Sequence, residues 1–541
     1  MKIMLLSSLI KVFSDEQPVA SEVTGFSVLK NERASFQIAV FSEDEKETEV
    51  KIEGFGDSFS IFKVREVPVG LACFDDVDDY FLRKDSGMYP DCLEPVCGTV
   101  KIDAGKWQSI WIELNPDGKL DAGDYKLDIS LVSSGKVLGS KELCVEIINV
   151  SLPKQELIYT NWYHCDGLLH YYDIEAMSED FWQVNRSFIK TAVDHGMNMI
   201  LTPLFTPPLD TAVGGERRTV QLVGVKRRGA KYSFDFRNLK KWIDLCLECS
   251  VEYFEMSHLF TQWGAKHAPK IVAADRKGRL KKIFGWKTRT HSRDYINFLR
   301  QFAAALTRFL EKEGVADRCF FHISDEPGMG DLPVYRKRAE LINEIFKGYP
   351  VIDALSKFEF YKTGCVKLPI PAENHIEDFY GRVDELWTYY CCGQCREYVS
   401  NRFMAMPSQR TRVIGCQLYK YDVKGFLQWG YNFYNSSHSK KEINPYEVTD
   451  AGGSFPAGDS FVVYPSADKT ALPSLRLKVF YDALQDLRAL KLLESLAGRE
   501  KTLAVLEDGL ETPLDFSNYP RNDAWQLGLR ERINSEIKKH I

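Results

Sequence analysis

Between Phe26 and Val150 apolar and polar residues alternate with period two, as in Phe36, Ile38 and Val40 and again in Tyr125, Leu127, Ile129 and Leu131. Turn signals recur at Asn115-Pro116-Asp117-Gly118 and Ser134-Gly135. Short antiparallel strands with one wet face predict a β-sandwich. Its last strand, Cys144 to Val150, runs into Ser151-Leu152-Pro153, where proline cannot donate to a ladder. The boundary falls there, and residues 1–153 form the predicted sandwich domain. Met1 to Ile10 is a short apolar run interrupted by Ser7 and Ser8, with no small-x-small cleavage site before Lys11; it reads as a first strand and not as a signal peptide.

Beyond Pro153 the rhythm becomes strand then helix. Candidate strands are Leu157–Trp162, Met197–Pro203, Val251–Ser257, Arg318–Ser324, Val351–Leu355, Glu385–Tyr390, Arg412–Leu418 and Gly425–Tyr431. Helical spacing links Trp242, Ile243, Cys246 and Leu247, and likewise Phe298, Phe302, Leu306 and Leu310. This alternation predicts a (β/α)8 barrel of the TIM type over 154–470, with a doubly wound open sheet as the alternative topology. The last crossover, Lys420 to Lys424, is too short for a full helix. An amphipathic helix from about Leu472 to Leu496 and a weakly patterned tail make up 471–541, packed on the barrel.

Composition narrows the function. The 541 residues are 44% hydrophobic and 27% charged, with a net charge of −6, which argues against a nucleic-acid partner. No run of about 18 apolar residues offers a membrane span. Thirteen cysteines, an odd number widely scattered, suit reduced thiols and a cytoplasmic location. Cys246-x-x-Cys249 and Cys392-x-x-Cys395 have zinc-like spacing, but Cys246 faces the apolar side of a predicted helix, so no metal is expected. The acidic run Asp75, Asp76, Asp78 and Asp79 lacks the glycine and terminal glutamate of a calcium loop. Basic residues from Arg217 to Lys231 accompany a hairpin expected over Thr219 to Val225. No G-x-S-x-G, P-loop, H-E-x-x-H or dinucleotide fingerprint is present, and no cofactor is called for.

Reactive groups of a barrel belong at the C-terminal ends of its strands. The fourth strand reads Cys319-Phe320-Phe321-His322-Ile323-Ser324 and then exits through Asp325-Glu326-Pro327. Charge appears only at the exit, and Pro327 is expected to hold Glu326 extended. Adjacent residues of a strand face opposite ways, so both acids reach the mouth only if the strand ends before them. Their carboxyl groups then lie about 5–6 Å apart, near the retaining range of glycosidases. The predicted seventh and eighth strands offer no acid as nucleophile, which favours a substrate that supplies its own, as a 2-acetamido sugar does. Aromatic and polar side chains cluster at the same rim: Trp162 and His164 after the first strand, His322 on the fourth, Trp387, Tyr389 and Tyr390 on the sixth, Trp429, Tyr431 and Asn432 on the eighth. Core packing is the ordinary explanation for any one ring; their clustering is what points to sugar binding.

The chain resembles glycoside hydrolase family 123, the β-N-acetylgalactosaminidases, whose catalytic domain is shared with a wider family. The likeness rests on His322-Ile323-Ser324-Asp325-Glu326-Pro327, on Gly425 to Asn432, on Pro456-Ala457-Gly458-Asp459 with Tyr464-Pro465, and on the helix Leu475 to Leu490. Gly87-Met88-Tyr89-Pro90-Asp91 looks like the family's sandwich loop, although Cys92 stands where proline is expected. The resemblance implies substrate-assisted, retaining hydrolysis of β-linked N-acetylgalactosamine from glycans or glycolipids such as glycosphingolipids. Asp325 would steady an oxazolinium-like intermediate, and Glu326 would act as general acid and then base. Two other readings compete: a non-catalytic carbohydrate-binding barrel, and a glycosidase of different specificity with Glu255 or Asp353 as nucleophile.

Overall fold

The computed structural model describes residues 1–275 and 277–541. Two five-stranded sheets fill the N-terminal region. One has the spatial order Lys2–Ser7, Ala34–Phe41, Trp107–Leu114, Phe59–Val69, Gly87–Pro95 and is antiparallel throughout. The other runs Gly25–Leu29, Lys136–Ile148, Gly123–Ser133, Lys46–Glu53, Thr99–Ile102, antiparallel except between its first two strands. Alternation sends Phe36, Ile38 and Val40 of the first sheet and Leu127, Ile129 and Leu131 of the second into one shared core.

Eight parallel strands follow: Ile158–Asn161, Met199–Thr202, Tyr253–Met256, Cys319–His322, Val351–Ala354, Leu368–Ile370, Trp387–Tyr389 and Gly425–Gln428. Each lies beside its neighbour in sequence, and the eighth returns beside the first. At the seam between sixth and seventh the pairing is reduced to a bridge of Ala372 to Tyr389, with Tyr389 N–H donating to Pro371 O at 3.0 Å, so the cylinder is nearly closed.

Three assignments differ from the sequence reading. Residues 412–418, expected as the seventh strand, are helical, within Ser408–Arg412 and Ile414–Lys420. Val413, Ile414, Cys416 and Leu418 are buried on every side, and such a run has no period to separate helix from strand. The true sixth strand is Leu368–Ile370, three residues with Pro369 inside and Pro371 behind, and Trp387–Tyr389 is seventh. With this reassignment the short last crossover disappears, because the helical segment is itself the connection. The hairpin comes later than expected, as Gly224–Arg228 and Lys231–Asp235 turning at Gly229.

Helix Leu475–Ala497 is capped by the Ser474 hydroxyl, which accepts from Leu477 N–H at 3.1 Å. It is buried from two sides, so its buried residues include the charged Arg476, Lys478, Asp482 and Asp486 as well as apolar ones. Leu475 and Val479 pack on Leu93 and Trp111 of the N-terminal sheets, whereas Leu477 and Phe480 join the barrel's outer core. Asp78, from the acidic run, accepts both guanidinium nitrogens of buried Arg410 at 2.8 Å. Among the described residues no helix is long and apolar enough to cross a membrane.

Candidate active site

The fourth strand ends at His322, leaving Ser324, Asp325 and Glu326 on the C-terminal rim. Contrary to the expectation set by Pro327, Glu326 is not extended: its φ is +42°, in the left-handed region. For a non-glycine residue that conformation costs on the order of 1–3 kcal/mol, and it persists where surroundings enforce it. Here Glu326 N–H donates to Ala354 O at 2.9 Å, at the end of the fifth strand. Two neighbouring side chains that a regular strand would send to opposite faces thereby line one cavity.

That cavity measures about 740 Å³ including its open mouth, and its walls include Trp162, Trp263, Tyr389, Leu427, Trp429 and Phe455. The Asp325 carboxylate is buried and accepts from Gln262 Nε2 at 2.5 Å. Burial, then the charge of Glu326, push the Asp325 pKa well above the ordinary carboxylate range, with the Gln262 bond opposing them. The Gln262 amide is itself oriented, since its Oε1 accepts the Asp210 backbone N–H. Glu326 Oε1 accepts the Tyr389 hydroxyl at 2.5 Å. Burial and the Glu326 charge raise the Tyr389 pKa well above its usual value, which keeps that hydroxyl a donor. Trp429 is held by Nε1 donating to Asp459 Oδ2 at 2.9 Å, and burial lifts Asp459 to a pKa of about 7 despite Arg402.

Beneath the floor a buried polar group interrupts an otherwise apolar barrel interior that includes Met199, Leu201, Phe320, Ile352 and Ile370. Glu255 accepts from Trp162 Nε1 at 2.7 Å and Thr160 Oγ1 at 2.5 Å, and its Oε1 lies 2.5 Å from His322 Nε2. His322 Nδ1 is 3.6 Å from Asp353 Oδ1. Burial would lower the His322 pKa, but Asp353 and Glu255 override it and hold it near 9, so the ring is an imidazolium at neutrality. Asp353 Oδ2 accepts Ser324 N–H at 3.0 Å and the Tyr335 hydroxyl at 2.5 Å.

Among the described residues, one trio of potential metal ligands is drawn together: His258, His322 and Asp353. The two imidazoles stack with centroids 4.1 Å apart and planes at 23°. Nearly parallel rings cannot both aim an in-plane lone pair at one ion, so the trio does not fit a metal. The Cys-x-x-Cys pairs are not gathered either; Cys246 is buried and all thirteen thiols are free.

Of the residues singled out in the sequence, Asp325, Glu326, Trp162, Tyr389 and Trp429 share the cavity wall. Six others do not line it. His322 lies under the floor. Trp387 is at the base of the barrel, with Nε1 donating to Glu385 at 2.6 Å. Tyr390 and Tyr431 point away from the interior, Tyr390 packing on Phe426 and Tyr431 donating to Phe188 O. His164 and Asn432 stand behind the wall: Asn432 Oδ1 accepts His164 N–H at 2.7 Å, and the His164 ring meets Trp429 O and Arg217. Burial, then Arg217, lower the His164 pKa to about 3, so it is neutral. Alternation explains the split, because Trp387 and Tyr389 face inward at different heights while Tyr390 faces out. Neither proposed nucleophile, Glu255 or Asp353, reaches the cavity. Sequence reasoning passed over Asp210, Gln262, Trp263, Cys391 and His438 and weighed Cys392 only as a zinc ligand; the loops after the second, third, seventh and eighth strands deliver them. Only Cys391 and Cys392, just past the end of Trp387–Tyr389, stand at a strand end; Asp210 lies well beyond Met199–Thr202.

Residues 162–493 match the model of the glycoside hydrolase 123 catalytic domain. Over 99% of both chains the fold superposes on a family 123 glycoside hydrolase from Clostridium perfringens, described for glycolipid glycan hydrolysis, with a TM-score of 0.78 at 14% identity. A xylanase 10B from Clostridium thermocellum aligns over 84% of this chain and 90% of its own at a TM-score of 0.32 and 9% identity. No curated protein sequence matches.

Proposed function

Because the chain belongs to glycoside hydrolase family 123, we propose that it is a retaining, substrate-assisted β-N-acetylgalactosaminidase acting on glycans or glycolipids, with Asp325 and Glu326 as its catalytic pair. One observation carries this reading: two consecutive carboxyl groups share a ring-walled cavity, one buried and amide-bound, the other exposed and hydroxyl-bound. The free pair retains a proton on Asp325 above the ordinary range. An acetamido N–H brought against Asp325 favours its ionised form, which leaves the proton of the pair on Glu326. The acetamido oxygen then attacks the anomeric carbon as that proton passes to the leaving oxygen. Glu326 next takes a proton from water as water opens the bicyclic intermediate, so configuration is retained. Neutral rings at Trp429 and Trp162 suit the apolar face of a pyranose.

The test is turnover of a chromogenic β-N-acetylgalactosaminide beside its glucosamine and galactose counterparts, with and without a galactose-configured thiazoline. Hydrolysis of the acetamido substrates alone, blocked by the thiazoline, is expected. Binding of glycans without turnover of any would sink the reading in favour of a carbohydrate-binding barrel. A second reading is favoured by Asp210, a further carboxylate on the wall, raised in pKa by burial and accepting His438 N–H at 2.9 Å. As an enzyme nucleophile it would form a covalent glycosyl ester and be trapped by a fluorosugar, with no thiazoline inhibition.

A further inference from the structure

The hairpins inserted after the second and third barrel strands are charged out of proportion to the rest of the chain. Residues 224–235 and 271–284 carry nine Lys or Arg against two Asp, in a protein of net charge −6. Their strands make one four-stranded sheet, in the order Lys231–Asp235, Gly224–Arg228, Ile271–Ala274, Leu280–Phe284. Register sorts the side chains, since residues paired across strands share a face. Lys226 pairs with Ser233 and Ala274, Ala274 with Leu280, Arg228 with Lys231, and Val272 with Lys282. One face therefore presents Lys226, Arg228, Lys231 and Lys282 around Leu280, while Val225, Ile271, Ala273 and Phe284 are buried on the other. Leu280 is 69% exposed, and among the described residues only Lys282 of these four cations has an ion-pair partner, Glu216.

The sheet adjoins the cavity mouth. Lys282 pairs with Glu216, and Trp286 Nε1 donates to Gly215 O at 2.9 Å, on the loop whose Leu209 and Asp210 line the cavity. Val213, on the same loop, is 76% exposed.

We propose that this face docks the protein on an anionic lipid surface and so turns the cavity toward glycans anchored there, an inference that rests on the glycolipid reading above. Headgroup charge attracts the lysines over a Debye length, and a protruding aliphatic residue enters the interfacial zone. A polyanionic glycan is the rival occupant, but it calls for a groove with planar rings. This face is an open sheet surface, and the sheet's aromatics, Tyr232 and Phe234, pair with Arg227 and Val225 on the opposite side.

The full-length protein is to be sedimented with phosphatidylcholine vesicles, with and without about one-third phosphatidylserine and free of any glycolipid, at low and high salt. Binding is expected only with phosphatidylserine, lost at high salt, and reduced at least about tenfold in the triple variant Lys226→Glu, Arg228→Glu, Lys231→Glu. Turnover of a water-soluble aryl glycoside by that variant stays at the wild-type level. No wild-type binding, equal binding by the variant, or retention on a sulfated polysaccharide without vesicle binding overturns the proposal. Since the vesicles contain no substrate and the soluble assay contains no membrane, failure of the dock and failure of the glycosidase reading are separate results.

Discussion

The Tyr389 hydroxyl reaches from the end of the seventh strand to Glu326 Oε1 at 2.5 Å, tying the more exposed acid to the barrel wall. A hydrogen bond to a charged group is worth about 1.5–3 kcal/mol, which is a factor of roughly 10 to 100 in rate if it is needed only for catalysis. Tyr389→Phe should lower kcat/KM for an aryl β-N-acetylgalactosaminide by that factor with the melting temperature unchanged. Glu326→Gln should lose about three orders of magnitude or more with natural leaving groups, as removal of a general acid requires. Steady-state kinetics on both variants decide it; wild-type turnover by Glu326→Gln removes that residue from the role.

Gln262 donates its amide to Asp325 and opposes the upward push of burial. Without that donor the ionised carboxylate loses its partner, so Gln262→Ala should raise the Asp325 pKa further. Since the active free pair holds its one proton on Asp325, the basic limb of the kcat/KM profile should move to higher pH, and activity at neutrality should fall because that proton is harder to shift to Glu326. An unmoved limb in the pH profile would show that Asp325 does not titrate in the free enzyme's active range.

How much of this site the sequence displayed depends on whether a residue's role is local. Asp325 and Glu326 were legible because charge after a buried strand is a local pattern, and the nearly closed parallel cylinder because its strands recur. Gln262 and Trp263 were not, since a polar loop residue gains its meaning only from a strand elsewhere that it meets. The motifs behind the family resemblance converge for a related reason. Arg476 of the long helix binds Asp91 at 2.7 and 2.8 Å and Gly458 O at 2.6 Å, and the Tyr464 hydroxyl donates to the same Asp91 at 2.6 Å. They are distant in sequence and adjacent in space, fixing the N-terminal sheets to the barrel. The helical run near 414–420 failed for the opposite reason, because burial on all sides erased its period.

His322 links the fourth strand to the third and fifth through Glu255 and Asp353. Its folded pKa of about 9 exceeds the ordinary value of 6.5, so the native state binds the proton more tightly than the unfolded chain. The stabilisation is complete below pH 6.5 and is lost as pH rises through about 9. At full strength it is on the order of 3 kcal/mol. Thermal unfolding followed from pH 6 to 10 should show a falling midpoint across that window. His322→Asn, which has no proton to release, should be less stable at pH 6 and flatter over the same range; an equal slope in both proteins would refute the assignment.

Gly425 opens the eighth strand directly against the Trp387 indole of the seventh, and a Cβ placed there would lie 1.9 Å from the ring. The ring has nowhere to retreat: it is fully buried, its Nε1 is bound to Glu385, and Phe320 packs at 5.9 Å. Gly425→Ala should therefore push the seventh strand outward, destabilising the protein by about 1–3 kcal/mol or more. Tyr389 is two residues along that strand, so the displacement also loosens its bond to Glu326, and kcat should fall with stability. Gly330→Ala is the control, since an added methyl there meets open space. Trp387→Leu in the Gly425→Ala background removes the clash, and a double-mutant cycle should show the pair recovering on the order of 1 kcal/mol or more relative to the sum of the singles. Additive losses would mean that the indole and the glycine do not constrain one another, and that the reactive rim is set by some other contact.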